Sequence, residues 1–330
     1  MEKKLKIVAG IAAMAVIAIT FIAVFNHKNP VNPERITLAV AAQPISVPVY
    51  VAYEKGFFKD EDLQVSLPSF SAGKDALALV LQGKADFCTV AETPIVFAAM
   101  KGKSLYIIAT MAETTKYLKI VGRQDRGIRS ARDLAGKRIG VTLGTNAEYY
   151  LDALLTYNKI AKSRVKIVPY KVEDMANALM NGDIDAALAW RPYTSRLQKL
   201  LGGNAVTLED DSIYKMNWII AGDQTFISSH PETVKKVLRA LRRAERYIME
   251  NPTESAQIIA RVIGAEDNAL DNYNFYLRLD QSLLLLLEDE AHWAIDRRLT
   301  DKNSIPNFLN MTYSKGMQAI DGQAVTLIHK

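Results

Sequence analysis

The chain has 330 residues, of which 49% are hydrophobic and 23% are charged, a composition typical of a globular protein with room for two lobes. Of its net charge of +5, residues 1–28 carry +3, so the rest is nearly balanced and nucleic-acid binding is not expected. A single cysteine, Cys88, excludes a disulfide framework. The four histidines lack the spacing of metal ligands, so neither a metal nor another cofactor is expected.

The N-terminus carries the signature of an exported protein. Three lysines precede Ile7–Phe25, a run of nineteen uncharged residues. As a helix this run would be about 28 Å long, close to the hydrocarbon thickness of a bilayer. No Ala-x-Ala cleavage site follows, which favours an uncleaved signal anchor in the inner membrane over a cleaved signal peptide. In either case we expect residues 1–33 to be a signal segment with its linker, and the remaining chain to be periplasmic or otherwise extracytoplasmic.

From residue 34 the chain alternates short apolar runs with amphipathic ones, which is typical of a parallel sheet covered by helices on both faces. The first half of this pattern predicts strands Ile36–Ala41, Val65–Pro68, Phe87–Ala91 and Leu105–Thr110, and helices Val49–Lys55, Lys74–Gln82 and Ile95–Lys101.

After a crossover at Tyr117–Val121 the pattern resumes. It predicts strands Ile139–Leu143, Lys166–Pro169 and Ala186–Trp190, and helices Ala147–Asn158, Met175–Asn181 and Pro192–Leu201. Met216–Ala221 reads as the return crossover. From Pro231 the chain is predicted to be almost wholly helical, with helices Thr233–Glu250, Ser255–Ile263 and Leu270–Glu290 that pack back on the first lobe. The predicted lobes are therefore 34–121 with 222–330, and 122–221.

An internal repeat supports two similar α/β lobes. Residues 70–94 and residues 170–192 share a pattern in which an Asp follows a Gly by three residues, as in Gly83 and Asp86 or in Gly182 and Asp185. In both copies a Pro closes the strand ten or eleven residues after that Gly. Two similar lobes imply a cleft between them, and such clefts are where small ligands bind.

Candidate ligand-binding residues follow from this cleft. In open α/β sheets, ligands lie beyond the carboxyl ends of strands, where helix N-termini offer free N–H groups to an anion. Predicted helix starts place there Ser71 and Thr93, each as an N-cap, together with Gly73, Gly144, Thr145, Asn146 and Arg191. For each of them, ordinary helix capping is the alternative to ligand binding. The ends of strands and the return crossover contribute further candidates, whose side chains either bind the ligand or pack in the core. The predicted ligand-binding set is Gln43, Ser71, Gly73, Glu92, Thr93, Gly144, Thr145, Asn146, Trp190, Arg191 and Trp218.

Glu92 and Arg191 occupy equivalent places in the two repeats. Either they contact a ligand from opposite lobes, or they form a salt bridge across the closed cleft, or they are surface charges. Trp190 is suited to stacking on a ligand or to filling the core. No phosphate loop, Gly-x-Ser-x-Gly elbow or paired metal ligands occur in the sequence, which predicts that the chain is not an enzyme.

Several segments resemble hallmarks of ABC-transporter solute-binding proteins for nitrate, sulfonate and taurine, the NMT1/THI5-like family, to which fungal thiamine-pyrimidine synthases are related. The segments include Val49–Phe58, Gly83–Asp86, Asp133–Val141, Gly144–Asn146 and Asp185–Pro192, and the resemblance covers about residues 34–260. It implies a type II periplasmic-binding-protein fold, with two α/β lobes around a hinged cleft. Such a protein closes on its ligand and docks on a permease with its ATPase.

One departure from the family pattern concerns the ligand. Members often carry an acidic residue between the Trp and the Pro, which suits an amine such as that of taurine, whereas this chain has Arg191 there. A guanidinium holds a sulfonate, a carboxylate or nitrate and repels an amine, so we expect a small anion rather than a zwitterion. The histidine and cysteine motif of the synthases is missing. The favoured interpretation is a solute-binding component of an ABC importer, with a membrane-anchored sensor and an exported enzyme as alternatives.

Overall fold

The computed structural model describes residues 32–265 and 269–328. The predicted signal anchor, Ile7–Phe25, lies outside these residues. Within the described ranges, no helix has both the length and the apolar character needed to cross a membrane.

Thirteen strands are described along the chain. They are β1 (Glu34–Ala41), β2 (Leu63–Ser66), β3 (Ser69–Phe70), β4 (Phe87–Ala91), β5 (Leu105–Thr114), β6 (Leu118–Arg123), β7 (Arg138–Val141), β8 (Lys166–Pro169), β9 (Ala186–Trp190), β10 (Ala205–Leu208), β11 (Met216–Asp223), β12 (Asn274–Asp280) and β13 (Val325–Thr326).

Twelve α-helices are described between and after these strands. They are α1 (Val47–Glu54), α2 (Phe57–Asp60), α3 (Gly73–Leu81), α4 (Glu92–Met100), α5 (Asn146–Tyr157), α6 (Met175–Asn181), α7 (Tyr193–Leu201), α8 (Gln224–Ser229), α9 (Pro231–Glu250), α10 (Pro252–Ile263), α11 (Gln281–Asp296) and α12 (Ser314–Ile320).

The strands form two separate sheets. The first has the order β13-β12-β5-β11-β4-β1-β2, with β3 also paired to β1, and the second has the order β10-β6-β9-β7-β8. The chain leaves the first sheet after Thr114 and returns to it at Met216, so every strand of the second sheet lies within residues 118–208. The chain therefore passes from one sheet to the other a few residues before each of the predicted lobe boundaries, which are at 121 and 221. The division into hinged lobes stays a prediction.

Strand β4 is an interior strand of the first sheet, parallel to β1 and antiparallel to β11. All five of its residues are buried, as expected for a continuous apolar strand covered on both faces. Cys88 is among them, and burial raises the pKa of its thiol well above the usual range, so the thiol stays protonated.

The C-terminal region contains a strand that the sequence analysis missed. We expected one helix over Leu270–Glu290, but β12 occupies Asn274–Asp280 and pairs antiparallel with β5. Leu277 and Leu279 are buried two residues apart, which is the period of a strand. Helix α11 then begins where the side chain of Asp280 accepts a hydrogen bond from the Leu283 amide at 3.1 Å.

The long C-terminal helices pack on helices that flank the first sheet. Helices α9 and α10 both contact α1. The buried stripe of α9 is the predicted one: Val234, Val237, Leu238, Leu241, Ala244 and Ile248. Ion pairs from Arg239 to Glu61 at 2.7 Å and from Arg243 to Asp60 at 2.8 Å flank this stripe.

Gly73 lets helix α3 approach the first sheet closely. A Cβ atom at this position would lie 2.9 Å from the Val90 Cα and 3.2 Å from the Thr89 carbonyl oxygen, and both neighbours are backbone atoms that cannot move aside cheaply. Gly73 was predicted to allow close approach of a ligand, but in the structure its lack of a side chain allows helix α3 to pack on the sheet.

The substitution Gly73→Ala is expected to lower the free energy of unfolding by about 1–3 kcal/mol, because the added methyl group overpacks the contact with β4. Urea unfolding measures this change. Gly203→Ala is the matched control, since a Cβ there would have no heavy atom within 4 Å, and it is expected to change stability by less than about 0.5 kcal/mol. Equal unfolding midpoints for the two variants would contradict the packing role.

Candidate functional site

Side chains from both sheets meet around Tyr117, which immediately precedes β6. Its hydroxyl donates a hydrogen bond to the Gln43 Oε1 atom, just beyond the end of β1. Its ring stacks on Trp190, the last residue of β9, with centroids 6.1 Å apart and planes at 6°. Trp218 of β11 lies 6.3 Å away on another side. All four side chains are buried. We call these four residues the aromatic junction.

Gln43 also fixes the neighbouring loop. Its Nε2 atom donates to the Ser71 carbonyl oxygen at 3.1 Å, so the contribution of Ser71 there is its backbone. The prediction that Ser71 caps helix α3 is wrong, because Ala72 is the N-cap residue and the cap has no side-chain hydrogen bond among the described residues. Ser46, three residues after Gln43, accepts a hydrogen bond from the Trp218 Nε1 atom at 3.1 Å and donates one to the Ala41 carbonyl oxygen at 2.8 Å.

Arg191 follows the aromatic junction and lines a small basic pocket. The pocket has a volume of about 60 Å³, and Pro44, Arg196 and Lys199 also line it. Burial raises the pKa of Tyr273, and the positive charge of Arg191 opposes that rise. The Trp190 indole N–H beside it is buried and has no hydrogen-bond partner in the part of the chain that the structure describes.

A second group of buried side chains surrounds Glu92. This residue opens helix α4, which starts three residues earlier than predicted, so Thr93 is the second residue of the helix rather than its N-cap. The Glu92 Oε1 atom accepts hydrogen bonds from the Tyr214 hydroxyl and, at 3.4 Å, from the Asn217 amide. Glu290 of α11 lies beside it and is also fully buried. We call Glu92, Thr93, Asn146, Tyr214 and Glu290 the acidic cluster.

Burial dominates the electrostatics of this cluster. It raises the pKa of Glu92 to about 8, although the Tyr214 hydroxyl opposes the rise by donating to the carboxylate. The pKa of Glu290 is raised well above its usual range, first by burial and then by the neighbouring Glu92. Asp289 adds to that rise, while Thr93 opposes it. Both carboxyl groups therefore bind a proton more tightly than exposed glutamates do.

Glu148 and Thr145 organise the start of helix α5. The Gly144 amide, in a residue with a φ of +72°, donates to the Glu148 carboxylate at 2.8 Å. Thr145 is the N-cap, and its Oγ1 atom accepts from the Ala147 amide at 3.3 Å and donates to a backbone carbonyl. These contacts fit the capping alternative. Asn146 instead turns towards the Tyr214 hydroxyl and lowers the pKa of that group, against the larger effect of burial.

The structure thus sorts the predicted set into groups. Gln43, Ser71, Trp190, Arg191 and Trp218 lie at or next to the aromatic junction. Glu92, Thr93 and Asn146 lie in the acidic cluster. Gly73 serves the packing of α3 against the sheet, and the contacts described for Gly144 and Thr145 serve the start of α5.

The sequence analysis missed Tyr117, Tyr214 and Glu290. A signal for Glu290 was present, because it stands in the buried stripe of α11 between Leu287 and Ala294, where an acidic residue has no packing role. No comparable signal marks the two tyrosines, whose positions depend on how the chain crosses between the sheets.

Comparison with known proteins now gives the family context. A family model described as NMT1/THI5 like matches residues 43–255. The taurine-binding periplasmic protein of Escherichia coli is 24% identical over 297 residues, which cover 84% of this chain and 90% of that protein. The 4-amino-5-hydroxymethyl-2-methylpyrimidine phosphate synthase of Legionella pneumophila is 25% identical over 234 residues, covering 69% of this chain and 73% of the synthase.

Among solved structures, the alkanesulfonate-binding protein SsuA of Xanthomonas axonopodis, bound to MOPS, superposes with a TM-score of 0.73 and 17% identity. The match covers 86% of this chain and 99% of SsuA. The predicted fold class, a type II periplasmic-binding-protein fold with α/β halves built on two sheets, is confirmed.

The prediction that the chain is not an enzyme is contradicted by these comparisons, because a phosphate synthase is among the relatives. That prediction rested on the lack of a short catalytic motif. In this fold the buried side chains of the cleft come from strand ends far apart in the sequence, as Gln43, Tyr117 and Trp190 show. A local motif is therefore a poor guide to the chemistry of such a cleft.

The raised pKa of Glu92 predicts a pH-dependent stability. The folded chain keeps the Glu92 proton up to a higher pH than the unfolded chain, which releases it near pH 4.5. The contribution of Glu92 to the free energy of unfolding is therefore fully present below pH 4.5 and is lost as the pH rises towards 8. The slope for one such group is at most about 1.4 kcal/mol per pH unit. Glu92→Gln is expected to remove part of this slope between pH 5 and pH 8 in urea unfolding.

Glu288→Gln is the control for this experiment, because Glu288 is an exposed glutamate on α11. It is expected to leave the slope as in the wild type. A Glu92→Gln variant with the wild-type slope would show that Glu92 titrates normally in the folded protein.

Proposed function

Because the chain belongs to the NMT1/THI5-like family, we propose that it is the extracytoplasmic solute-binding component of an ABC importer, which captures a small organic solute between its two sheets. The observation that carries this proposal is the aromatic junction, where buried side chains from both sheets converge on Tyr117. The names of the relatives, which include a taurine-binding periplasmic protein, support the same role.

The contacts between the two sheets support capture of the solute by closure of the lobes around it. Besides the aromatic junction, the Lys74 ammonium on α3 donates to the Leu143 carbonyl oxygen beyond β7 at 2.9 Å. A ligand that contacts both sheets stabilises the closed arrangement by its differential affinity for that state. The predicted lobes, 34–121 with 222–330 and 122–221, are the bodies that would close, and the closed form is the one presented to the permease.

The basic pocket supports an anionic group on the solute. Arg191 lines it together with Arg196 and Lys199, directly beside the aromatic junction. A planar guanidinium suits the oxygens of a sulfonate or a carboxylate, which it can bind through two parallel hydrogen bonds.

Export and membrane attachment complete the proposal. The uncharged run Ile7–Phe25 behind three lysines is suited to direct the chain out of the cytoplasm and, if uncleaved, to keep it beside its permease.

The direct test is ligand binding by the full chain in detergent micelles. Ethanesulfonate, butanesulfonate, nitrate, propanoate and taurine are titrated while the fluorescence of the three tryptophans is followed. Saturable binding with a dissociation constant in the micromolar range or below is expected for at least one of the four anions, which are the two sulfonates, nitrate and propanoate. Binding that is absent or only millimolar for every anion would contradict the proposal of a small organic anion.

Arg191→Ala is expected to weaken the binding of the preferred anion by about 10- to 100-fold, because a hydrogen-bonded charge contributes about 1.5–3 kcal/mol. Isothermal titration calorimetry measures the loss. Arg164→Ala, which removes an exposed arginine just before β8, is the control and is expected to retain the wild-type affinity. Unchanged affinity in Arg191→Ala would show that the anion is held elsewhere.

A further inference from the structure

The end of helix α11 connects the two sides of the cleft. The helix follows directly from β12 of the first sheet and packs on α4, which lies on the same side. Near its end, the Trp293 ring meets Phe97 of α4 edge to face, with centroids 6.0 Å apart, and meets Tyr149 of α5 with centroids 5.2 Å apart. Helix α5 follows β7 of the second sheet and contacts β9. Trp293 is therefore wedged between helices of opposite sides.

This contact is fixed by Asp152, about one turn beyond Tyr149 on α5. Its Oδ2 atom accepts hydrogen bonds from the Trp293 Nε1 atom at 3.0 Å and from the Arg297 Nε atom at 2.6 Å. Only 4% of the Asp152 side chain is exposed. Hydrogen bonds to a charged group are stronger than those between neutral groups, so the two donors hold the end of α11 on α5. We call Asp152, Trp293 and Arg297 the α11 latch.

Lys162 gives Asp152 a second cationic partner, on its own side of the cleft. The Lys162 ammonium lies 3.5 Å from the Asp152 Oδ1 atom, and this lysine stands just before β8 of the second sheet. Arg297 keeps 41% of its side chain exposed. If α11 withdraws, Asp152 therefore retains a counter-charge, and Arg297 is already in contact with water. Most buried ion pairs are costly to break because one charge is left buried and unpaired, and the α11 latch avoids that cost.

The α11 latch lies along one edge of the cleft. Just beyond it, Leu299 lines a groove of about 540 Å³ together with Lys74 and Leu143. The Lys74 ammonium crosses from the first side to the Leu143 carbonyl oxygen, at 2.9 Å. Earlier on α11, both carboxyl oxygens of Glu290 are buried and have no hydrogen-bond partner among the described residues. The hydrogen bonds described across this edge thus come from the α11 latch and from Lys74.

We propose that the end of α11 is a strap that holds the cleft closed before any solute is bound, and that the α11 latch must break for the cleft to open. The inference rests on the proposed function, since it takes the predicted lobes as the bodies that open and close. The open form is then the minor one in the protein without solute. The latch slows both the entry and the release of the solute, because each needs the open form.

The test follows opening of the full chain in detergent micelles, without solute. Dyes on Lys103→Cys and Tyr157→Cys, two exposed positions on opposite sides of the cleft, report the separation of the sides by single-molecule energy transfer. Cys88 is buried and stays unlabelled. Asp152→Asn and Arg297→Gln are each expected to lower the ratio of closed to open molecules at least about tenfold, because each removes a charge-assisted hydrogen bond.

Asp296→Asn is the matched control, because it neutralises an exposed aspartate on the same helix, and it is expected to keep the wild-type ratio. The double variant, Asp152→Asn with Arg297→Gln, is expected to be no more open than the more open single variant, since both changes remove the same contact. A lower unfolding midpoint in urea with an unchanged ratio would show permanent packing between α5 and α11 and would overturn the inference.

A wild-type ratio in either single variant, or a wild type that is already open without solute, would also overturn it. Calorimetric titration of the solute panel separates this result from the proposed function. If both variants open but no solute binds, the latch is supported and the proposed function fails. If a solute binds and the ratio is unchanged in the variants, the latch fails and the proposed function is supported.

Discussion

The buried ring of Tyr117 is the constraint on which the cleft depends. Its hydroxyl is committed to Gln43 at the end of β1, and its face is stacked on Trp190 at the end of β9, so one side chain fixes the ends of strands from both sheets. A buried aromatic side chain holds such a position through its large contact area and through the hydrogen bond that satisfies its polar end. The loops that carry Ser71 and Arg191 are positioned from these two strand ends.

The basic pocket and the acidic cluster beside this junction differ in their exposure to water. Arg191 lies in a small pocket with further basic residues, partly open to water. Glu92 and Glu290 are fully buried, and burial raises the pKa of both carboxyl groups. A buried polar atom without a partner costs about 1–3 kcal/mol. In the protein without a ligand, the acidic cluster therefore lowers the free energy of unfolding. Such local destabilisation is characteristic of functional sites rather than of structural cores.

Much of the fold could be read from the sequence because its strands are short, apolar and bounded by helices. The strand Phe87–Ala91 was predicted to the residue, and the stripe of α9 was predicted in full. The strand at Asn274–Asp280 was missed because tertiary pairing with β5 overrode a helical reading of its residues. In the site, Gln43 and Trp190 were identifiable because both lie at the ends of predicted strands. Tyr117 and Tyr214 were not, because each lies where the chain changes sheets and its partners come from distant segments.

The central claim is that a small solute binds where the two sheets meet at Tyr117. A crystal structure of the full chain with the tightest-binding solute of the sulfonate and carboxylate panel tests it most directly. The account predicts density for the solute against Tyr117 and Trp190, with contacts to side chains from both sheets. A solute found in the separate groove of about 540 Å³ near Lys74 and Phe97, with the aromatic junction unchanged, would contradict it.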